Sequence, residues 1–299
     1  MNACHPKVTI GICVRNCEKT IEYAIKSVLN QSYPHQLIEI VFVDDASTDK
    51  TLSIIQNYIS KIDIEAKIFF HKKWRGLGPS RNLVFQNAAG KYIIWVDGDM
   101  TIEKDFVKKQ VEFMENHPEI GIAKGKYGVN FQGKLAGDLQ NLEFVAVNSV
   151  SKGIPLGTGG AIYRVESLKE VGGFSENMPY ACEDVEVEHK VKRTGWFLAR
   201  TNAIFYEKHR GTWKELWQEY LWQGKGHAYL STKTFAFSRR LLWPPILFFV
   251  IVSRSIDAYK LTQQLKAFLL PLQYFFKRAA WICGFLKGKL EIVKMGIQR

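Results

Sequence analysis

The chain has 299 residues, of which 46% are hydrophobic, 13% aromatic and 23% charged. This composition excludes an intrinsically disordered or collagen-like protein. The net charge of +12 is distributed unevenly, because residues 239–299 contain 11 Lys and Arg against Asp257 and Glu291, a balance of 11 − 2 = +9. The first 238 residues carry only 30 − 27 = +3. The chain therefore combines a nearly neutral body with a basic tail.

The cysteines indicate a reducing environment. Their number is odd and they are scattered along the chain, at Cys4, Cys13, Cys17, Cys182 and Cys283. Disulfide frameworks and zinc sites show paired and regular spacings, so neither is expected. No charged leader with a following apolar stretch precedes the strand-like run at residue 7, and we therefore expect no secretory signal and a cytosolic location for the body.

The first 125 residues alternate short apolar runs with segments of helical periodicity. Strands are predicted at 7–14, 38–43, 66–70 and 91–96, and helices at 18–31, 50–59 and 80–89. The run IEIVFV (38–43) is almost wholly apolar, as in a parallel strand covered on both faces. The alternation predicts an α/β fold with a mostly parallel, doubly wound sheet and helices on both faces.

Polar side chains follow each predicted strand. In such sheets, ligands bind beyond the carboxyl ends of the strands. The residues at these ends are Arg15 and Asn16, Asp44 and Asp45, the run from His71 to Gly76, and Asp97, Gly98 and Asp99. The sequence therefore predicts a binding site at this edge of the sheet.

The segment VDGDM is the strongest single signal. Asp97 and Asp99 flank a glycine directly after a buried strand. Hard divalent ions bind one or two such carboxylates together with phosphate oxygens. An ordinary solvated turn is the competing interpretation, since Asp-Gly is common in turns.

The segment VFVDDASTD (41–49) places two adjacent acids at the exit of the second strand. Ser47, Thr48 or Asp49 can cap the following helix. Capping does not account for Asp44 and Asp45, whose carboxylates can accept hydrogen bonds from ribose hydroxyls or from a base N–H.

The middle of the chain contains two further motifs. LGTGGAIYR (156–164) is a glycine-rich loop that leads into an apolar run, and a helix is predicted to begin near Glu183 and Asp184. The two acids can simply favour the positive end of that helix. They can also supply a proton acceptor beside a loop with room for a ligand.

Taken together, these motifs resemble a family 2 glycosyltransferase of the GT-A fold. The resemblance rests on TIGICVRNCEKTI, VFVDDASTDKT, RGLGPSRN, GKYIIWVDGDM, LGTGGAIYR and CEDVE, in this order and spacing, and covers roughly residues 7–230.

The resemblance implies a nucleotide-sugar donor site in the first half of the chain, with a UDP-sugar favoured. Its residues would be Val14, Arg15, Asn16, Asp44, Asp45, Arg75, Gly76, Arg81, Asp97 and Gly98. It also implies that Asp99 and Asp97 hold Mn²⁺ or Mg²⁺ against the diphosphate, with His209 completing the metal shell; an ordinary surface position for His209 is the alternative.

The resemblance further implies that Glu183 and Asp184 are the catalytic acid pair, with Asp184 as general base on the acceptor hydroxyl in an inverting reaction. Gly157, Thr158, Gly159 and Gly160 would leave room for the acceptor sugar. The first motif has CVRN where many relatives have proline and tyrosine before the asparagine. WQEYLWQGKG (217–226) lacks the Gln-x-x-Arg-Trp signature of processive synthases, so transfer of a single sugar to a glycan or lipid-linked acceptor is expected.

Two other functions remain possible from sequence. One is a nucleotidyltransferase on a similar sheet, although Arg15-Asn16-Cys17-Glu18 is not the glycine-rich triphosphate loop that such enzymes use. The other is a non-catalytic sugar-binding protein.

The tail differs in character from the body. LLWPPILFFVIV (241–252) is apolar but is interrupted by Ser253 and Arg254, short of the roughly 20 residues that a spanning helix needs. Basic and aromatic residues accompany the apolar runs, which is typical of helices in the interface of an anionic cytoplasmic leaflet. A helical cap on the catalytic domain is the alternative, and nucleic-acid binding is not expected.

The sequence therefore predicts a catalytic domain at 1–230, with a donor half at 1–125 and an acceptor half at 126–230. A helical, membrane-associating tail is predicted at 231–299. The protein is expected at the cytoplasmic face of the membrane, as a peripheral or monotopic enzyme.

Overall fold

The computed structural model describes residues 7–150, 155–176, 178, 180–233 and 244–294. The strands are β1 (Val8–Val14), β2 (Ile38–Asp44), β3 (Glu65–Phe70), β4 (Tyr92–Trp95), β5 (Met100–Ile102), β6 (Ile120–Tyr127), β7 (Ala161–Arg164) and β8 (Phe197–Glu207). The helices are α1 (Ile21–Leu29), α2 (Thr51–Ile59), α3 (Leu77–Asn87), α4 (Phe106–Asn116), α5 (Leu135–Val150), α6 (Val165–Val171), α7 (Glu183–Arg193), α8 (Trp213–Lys233), α9 (Pro244–Thr262) and α10 (Leu270–Lys294).

The strands form one eight-stranded sheet in the order β3-β2-β1-β4-β7-β6-β8-β5. Strand β1 pairs in parallel with β2 and β4, and β2 pairs in parallel with β3. Beyond β4 the described pairings of β4 with β7, β6 with β7 and β5 with β8 are antiparallel. The predicted α/β class is confirmed, and the predicted strands and helices of the first 100 residues are confirmed apart from their ends.

The register brings the carboxyl ends of the parallel strands together. Val14 at the end of β1 lies beside Asp44 at the end of β2, and Gly11 of β1 lies beside Trp95 of β4. The residues that follow these strands therefore share one edge of the sheet, as the sequence predicted.

Trp95 lies at the centre of the core around β4. Its ring meets those of Tyr163 and Phe174 edge to face, with centroids 6.2 and 5.5 Å away. A Cβ at Gly11 would lie 2.8 Å from the Trp95 ring, so the glycine in β1 makes space for the indole. The core thereby fixes the end of β4, from which the DGD turn starts.

The chain divides into two compact units. The first contains Met1–Lys126, Pro155–Asn177 and Glu183–Glu207, and the second contains Tyr127–Ile154, Met178–Cys182 and Lys208–Arg299. The predicted acceptor half at 126–230 is thus distributed over both units, and α5 belongs with the tail. The functional division into donor and acceptor halves stays a prediction.

The described part of the tail is helical. Within the second unit, α8 packs along α10, and α9 packs on α5 around Leu139, Leu142, Ala146 and Ala258. Residues 241–243 of the apolar run at 241–252 lie outside the described residues. In the parts of the chain that the structure covers, no helix is both long enough and apolar enough to cross a membrane.

Candidate functional site

The first strand ends in a loop that Asn16 holds. Asn16 has a left-handed backbone with φ of 53°. Its N–H donates to Ser47 Oγ at 2.9 Å, and its Oδ1 accepts the Thr48 N–H at 2.8 Å. Two of the predicted helix-capping residues therefore bind Asn16, whereas Asp49 accepts the Thr51 N–H at the start of α2. Asn16 thus positions the loop that follows β2.

Asp44 and Asp45 are both buried but have different partners. Asp45 accepts the backbone N–H of Arg75 and of Gly76, each at 2.8 Å. Asp44 accepts the Ser47 N–H through Oδ1, whereas its buried Oδ2 has no hydrogen-bond partner among the described residues. Asp45 therefore shapes the loop before α3, and Asp44 retains an acceptor for a ligand.

The predicted donor-site arginines occupy different environments. Arg15 stacks over Trp74 at 5.5 Å, and Arg75 forms an exposed ion pair with Glu176 at 3.2 Å. Arg81 on α3 is buried and ion-paired with Glu183, the first residue of α7. Arg81 thereby holds Glu183 at the start of α7.

The DGD turn is tightly built. The Met100 N–H donates to the Asp97 carbonyl at 3.0 Å, which closes the turn. A Cβ at Gly98 would lie 2.8 Å from a methyl group of Val14, so a side chain between the two acids would force Val14 to shift. Asp97 and Asp99 are both half-buried. The predicted site residues Val14 and Gly98 therefore pack against each other.

The glycine-rich loop 156–160 lies between the two acidic motifs. A Cβ at Gly157 would lie 3.4 Å from Asp184 Oδ2, and a Cβ at Gly159 would lie 2.8 Å from Asp97 Oδ2. Thr158 between them is buried. The structure thus brings Asp97, the loop and Asp184 together within the first unit.

The loop is held by a glutamate that the sequence analysis did not identify. Glu188 on α7 is buried, and its carboxylate accepts the N–H of Leu156 at 3.0 Å and of Gly157 at 2.6 Å. Burial raises the pKa of Glu188 to about 7. Its spacing of four residues from Asp184 places both acids on one face of a helix, and this signal could have identified it.

Lys124 is the second residue that the sequence analysis missed. It is buried in β6 and donates to the Leu156 carbonyl. A Cβ at Gly157 would lie 3.5 Å from Lys124 Nζ. Burial lowers the pKa of Lys124, while Glu207, Glu188, Asp184 and Asp97 oppose that change. A lysine between Ala123 and Gly125 in a buried strand was the available signal.

Metal binding can be tested against the donor atoms present. Among the described residues, no group of three His, Cys, Asp or Glu side chains is arranged to hold a metal ion. The two carboxylates of the DGD turn nevertheless fit a divalent ion that takes its remaining ligands from a diphosphate and water.

His209, the third predicted metal ligand, belongs to the second unit. It is buried, with its ring 6.3 Å from that of Tyr127 and 5.1 Å from that of Phe144. Burial, with smaller contributions from Lys277 and Arg210, lowers the pKa of His209 to about 3. The alternative of a surface histidine is wrong, and its role as a ligand stays a prediction.

Comparison with known proteins identifies the family. Residues 9–172, more than half of the chain, match the family described as "Glycosyl transferase family 2", and residues 92–286 match "Glycosyl transferase family group 2". The probable glycosyltransferase YdaM of Bacillus subtilis is 29% identical over 77% of this chain and 57% of its own length. An uncharacterized glycosyltransferase of Haemophilus influenzae is 42% identical over 38% of this chain and 44% of its own. The chain thus spans less than two thirds of either relative.

Solved structures share the fold at low identity. A mannosyltransferase from Pyrobaculum calidifontis, in complex with GDP-Man and Mn²⁺, matches with a TM-score of 0.66 and 18% identity over 95% of this chain and 87% of that one. Residues 1–349 of Staphylococcus aureus TarS, in complex with UDP-GlcNAc, match with a TM-score of 0.53 and 20% identity over 97% of this chain and 92% of that one. The predicted GT-A fold is confirmed.

Proposed function

Because the chain belongs to glycosyl transferase family 2, we propose that it transfers a single hexosyl group from a nucleotide-sugar donor, by preference a UDP-sugar, to a glycan or lipid-linked acceptor with inversion. The position of the loop 156–160 carries this proposal. Its glycines lie against Asp184 Oδ2 on one side and Asp97 Oδ2 on the other. A sugar held at this loop would lie between a donor-binding acid and a proton acceptor.

The donor nucleotide would bind beyond β1 and β2. The buried Oδ2 of Asp44 suits a base N–H or a ribose hydroxyl, since a buried carboxylate oxygen is stabilised by a hydrogen bond. Asp45 would act through the loop at Arg75 and Gly76, whose backbone it already binds.

Asp99, together with Asp97, would hold Mn²⁺ or Mg²⁺ at the donor diphosphate. There the ion would neutralise the charge that develops on the leaving group. The half-buried DGD turn presents two carboxylates for this role. In support, the mannosyltransferase of similar fold was solved in complex with GDP-Man and Mn²⁺.

Asp184 would accept the proton of the acceptor hydroxyl as the new glycosidic bond forms. A direct displacement at the anomeric carbon needs a base on the side opposite the leaving group, and it inverts that carbon. The backbone N–H of Val185 donates to Asp184 Oδ1 at 2.8 Å. Asp184 Oδ2 is the oxygen that faces the glycine-rich loop. Glu183, paired with Arg81, would hold the start of α7 in place.

We place the enzyme at the cytoplasmic face of the membrane, as a peripheral or monotopic protein. The observation in favour is the tail, in which a charge of +9 accompanies long apolar runs. Such a location would give access to lipid-linked acceptors.

The proposal is tested first by ligand binding and turnover. Nucleotide sugars are screened with Mn²⁺ by thermal shift, since a ligand that binds the folded state raises its stability. We expect a shift with at least one nucleotide sugar, and slow hydrolysis of that donor, in which water takes the sugar and the nucleoside diphosphate is released. Release of pyrophosphate would indicate a nucleotidyltransferase instead, and binding without turnover would indicate a sugar-binding protein.

Two variants then separate the roles of the acids. Asp184→Asn is expected to retain donor binding while turnover falls by about 10²- to 10⁴-fold, because the proton acceptor is lost. Asp99→Asn is expected to lose the Mn²⁺-dependent part of donor binding. Asp63→Asn, at an exposed aspartate paired with His35, serves as the control.

Donor affinity that is unchanged in Asp99→Asn with Mn²⁺ present would exclude the metal role of Asp99. A loss of less than about tenfold in Asp184→Asn would mean that the general base lies elsewhere.

A further inference from the structure

Helix α10 exposes six large apolar side chains. Leu272, Phe275, Ile282, Leu286, Leu290 and Val293 are all exposed, with Val293 at 76%. Their spacings of three, four and seven residues place them on one face of the helix. We call these six residues the outer stripe.

The inner face of α10 explains this orientation. A Cβ at Gly284 would lie 2.0 Å from the Leu221 carbonyl oxygen, and one at Gly288 would lie 2.8 Å from Ala228 Cβ. The small residues let α10 approach α8 closely. The large side chains of the outer stripe are too bulky for this close contact between α10 and α8. A rotation of α10 about its axis would therefore not bury them.

The inner face also buries two polar side chains, beside apolar ones such as Trp281 and Ile292. Lys277 is buried there in an ion pair with Glu143, and Gln273 donates to the Ala136 carbonyl at 2.7 Å. An amphipathic helix on the surface of a water-soluble protein exposes its charged residues and buries its leucines. The outer stripe is therefore suited to contact an apolar partner, either a protein surface or the interior of a membrane.

The apolar surface continues into the 3-10 turn (Leu265–Leu269) that precedes α10. Leu265, Phe268 and Leu269 are exposed in this turn. A group of nine exposed large apolar side chains on neighbouring turns of the chain is typical of an interaction site.

The charges beside the outer stripe indicate which partner covers it. Residues 265–294 contain six Lys and Arg and one acid, Glu291. Glu291 is itself ion-paired with Lys225 at 2.6 Å. Lys287, Lys289 and Lys294 are sequence neighbours of Leu286, Leu290 and Val293. An apolar stripe bordered by lysines complements an anionic lipid surface, in which acyl chains lie below acidic headgroups.

A second copy of the chain fits this surface less well. A two-fold interface brings the same patch of both copies together. Here it would oppose two sets of lysines, and like charges at an interface disfavour association.

We propose that the outer stripe is a docking surface for an anionic bilayer, with α10 lying in the plane of the interface and its lysines at the headgroups. This deepens the membrane location proposed above and does not depend on sugar transfer. The leucines would enter the acyl region while the inner face stays packed on α8.

The test is co-flotation of the full chain with vesicles, without any nucleotide sugar. Vesicles of phosphatidylcholine alone are compared with vesicles that also contain phosphatidylglycerol. We expect binding to the anionic vesicles that weakens as salt is raised. Absence of binding to anionic vesicles at low salt would overturn the proposal, as would equal binding to both vesicle types.

Matched variants test the outer stripe itself. Leu290→Glu is compared with Phe197→Glu, because both side chains are 63% exposed and Phe197 lies on β8 of the first unit. Leu290→Glu is expected to weaken vesicle binding at least about tenfold, whereas Phe197→Glu leaves it unchanged. Equal effects of the two variants would overturn the role of the stripe.

The lysines have a separate control. Replacing Lys287, Lys289 and Lys294 by Gln is expected to weaken binding about fivefold per residue and to reduce its salt dependence. The same change at the exposed Lys26, Lys91 and Lys108 is expected to have no effect. Circular dichroism confirms that each variant is folded.

Light scattering completes the design. A dimer that Leu290→Glu dissociates would assign the stripe to a second copy and overturn the lipid proposal. A protein that floats but turns over no nucleotide sugar would leave the docking surface standing and refute the proposed function. The reverse result would refute only the docking surface.

Discussion

Glu188 connects helix α7 to the glycine-rich loop through a single carboxylate. Both of its oxygens accept backbone N–H groups, from Leu156 and Gly157. Asp184 precedes it by one helical turn, so the loop and the proposed base are positioned by the same helix. Burial removes water from this carboxylate and so disfavours its ionised form, and the two hydrogen bonds offset that free-energy cost only in part.

This cost predicts a pH dependence of stability. Well below pH 4.5, the ordinary pKa of a glutamate, the carboxyl of Glu188 is protonated in both the folded and the unfolded chain. Because burial raises its folded-state pKa to about 7, its stabilising contribution is present at low pH and is lost as the pH rises to about 7. The difference between 4.5 and about 7 corresponds to a free energy of roughly 3 kcal/mol.

Glu188→Gln is expected to remove this pH dependence, because glutamine does not titrate. Measured by urea unfolding, the stability of the wild type relative to the variant should fall between about pH 4.5 and about pH 7.5. The variant should also turn over more slowly, since glutamine presents only one oxygen to the two N–H groups. Parallel pH profiles of stability would contradict the burial of a titrating group at this position.

At the scale of the elements, the turn that starts β7 depends on Gly160. Its φ is +70°, its N–H donates to the Trp95 carbonyl at 3.0 Å, and its carbonyl accepts the Gly125 N–H at 3.0 Å. It therefore joins β4 to β6 at the end of the glycine-rich loop. A Cβ there would lie 2.4 Å from the ring of Phe205 on β8.

Gly160→Ala is expected to destabilise the protein more than Gly172→Ala. Gly172 has nearly the same φ, +74°, but a Cβ there meets nothing within 4 Å. Gly172→Ala should cost only the left-handed strain of about 1–2 kcal/mol. Gly160→Ala adds the overlap with Phe205, typically about 1–3 kcal/mol. Equal losses in urea unfolding would show that Phe205 yields without cost.

The elements of residues 7–96 could be predicted because their signals are local. Apart from Glu39, the run IEIVFV is apolar on both faces, and the structure buries every residue of β2. Helix α3 begins at Leu77 rather than near Ser80, because Gly76, with φ of 92°, marks the turn before it and is fixed by Asp45. That contact joins residues 31 positions apart, and no local pattern reports it.

The site was predicted less completely for the same reason. Asp97, Asp184 and the glycine-rich loop could be proposed as candidates because each belongs to a short motif, and the structure brings them together. Glu188 and Lys124 act through the loop backbone, and a backbone contact leaves no signature in the residue it binds. Pro271 interrupts an apolar run in the sequence, yet it lies in the first turn of α10, where proline is tolerated.

At the scale of the whole molecule, distant parts of the chain build the second unit. Helix α5 at 135–150 lies in it together with the C-terminal α10. Two ion pairs connect these regions, Asp138 with Lys266 and Glu143 with Lys277. Residues of α5 therefore form their ion pairs with residues of the tail. The change in composition near residue 230 suggested a separate tail and gave no sign of these contacts.

The pair of Glu143 and Lys277 predicts a strongly non-additive double mutant. Lys277 is 3% exposed, and its ammonium also lies 4.4 Å from the centre of the Tyr220 ring. Lys277→Met leaves the half-buried carboxylate of Glu143 without its cation, and we expect a loss of up to about 3–5 kcal/mol in urea unfolding. Glu143→Leu combined with Lys277→Met should recover most of this loss, because an apolar pair of similar volume needs no compensating charge.

Lys108→Met, in the exposed pair with Glu112 on α4, is the control and should change stability by less than about 1 kcal/mol. A double variant as unstable as Lys277→Met alone would mean that the loss comes from other contacts of the ammonium, such as the one with the Tyr220 ring, rather than from an unpaired Glu143.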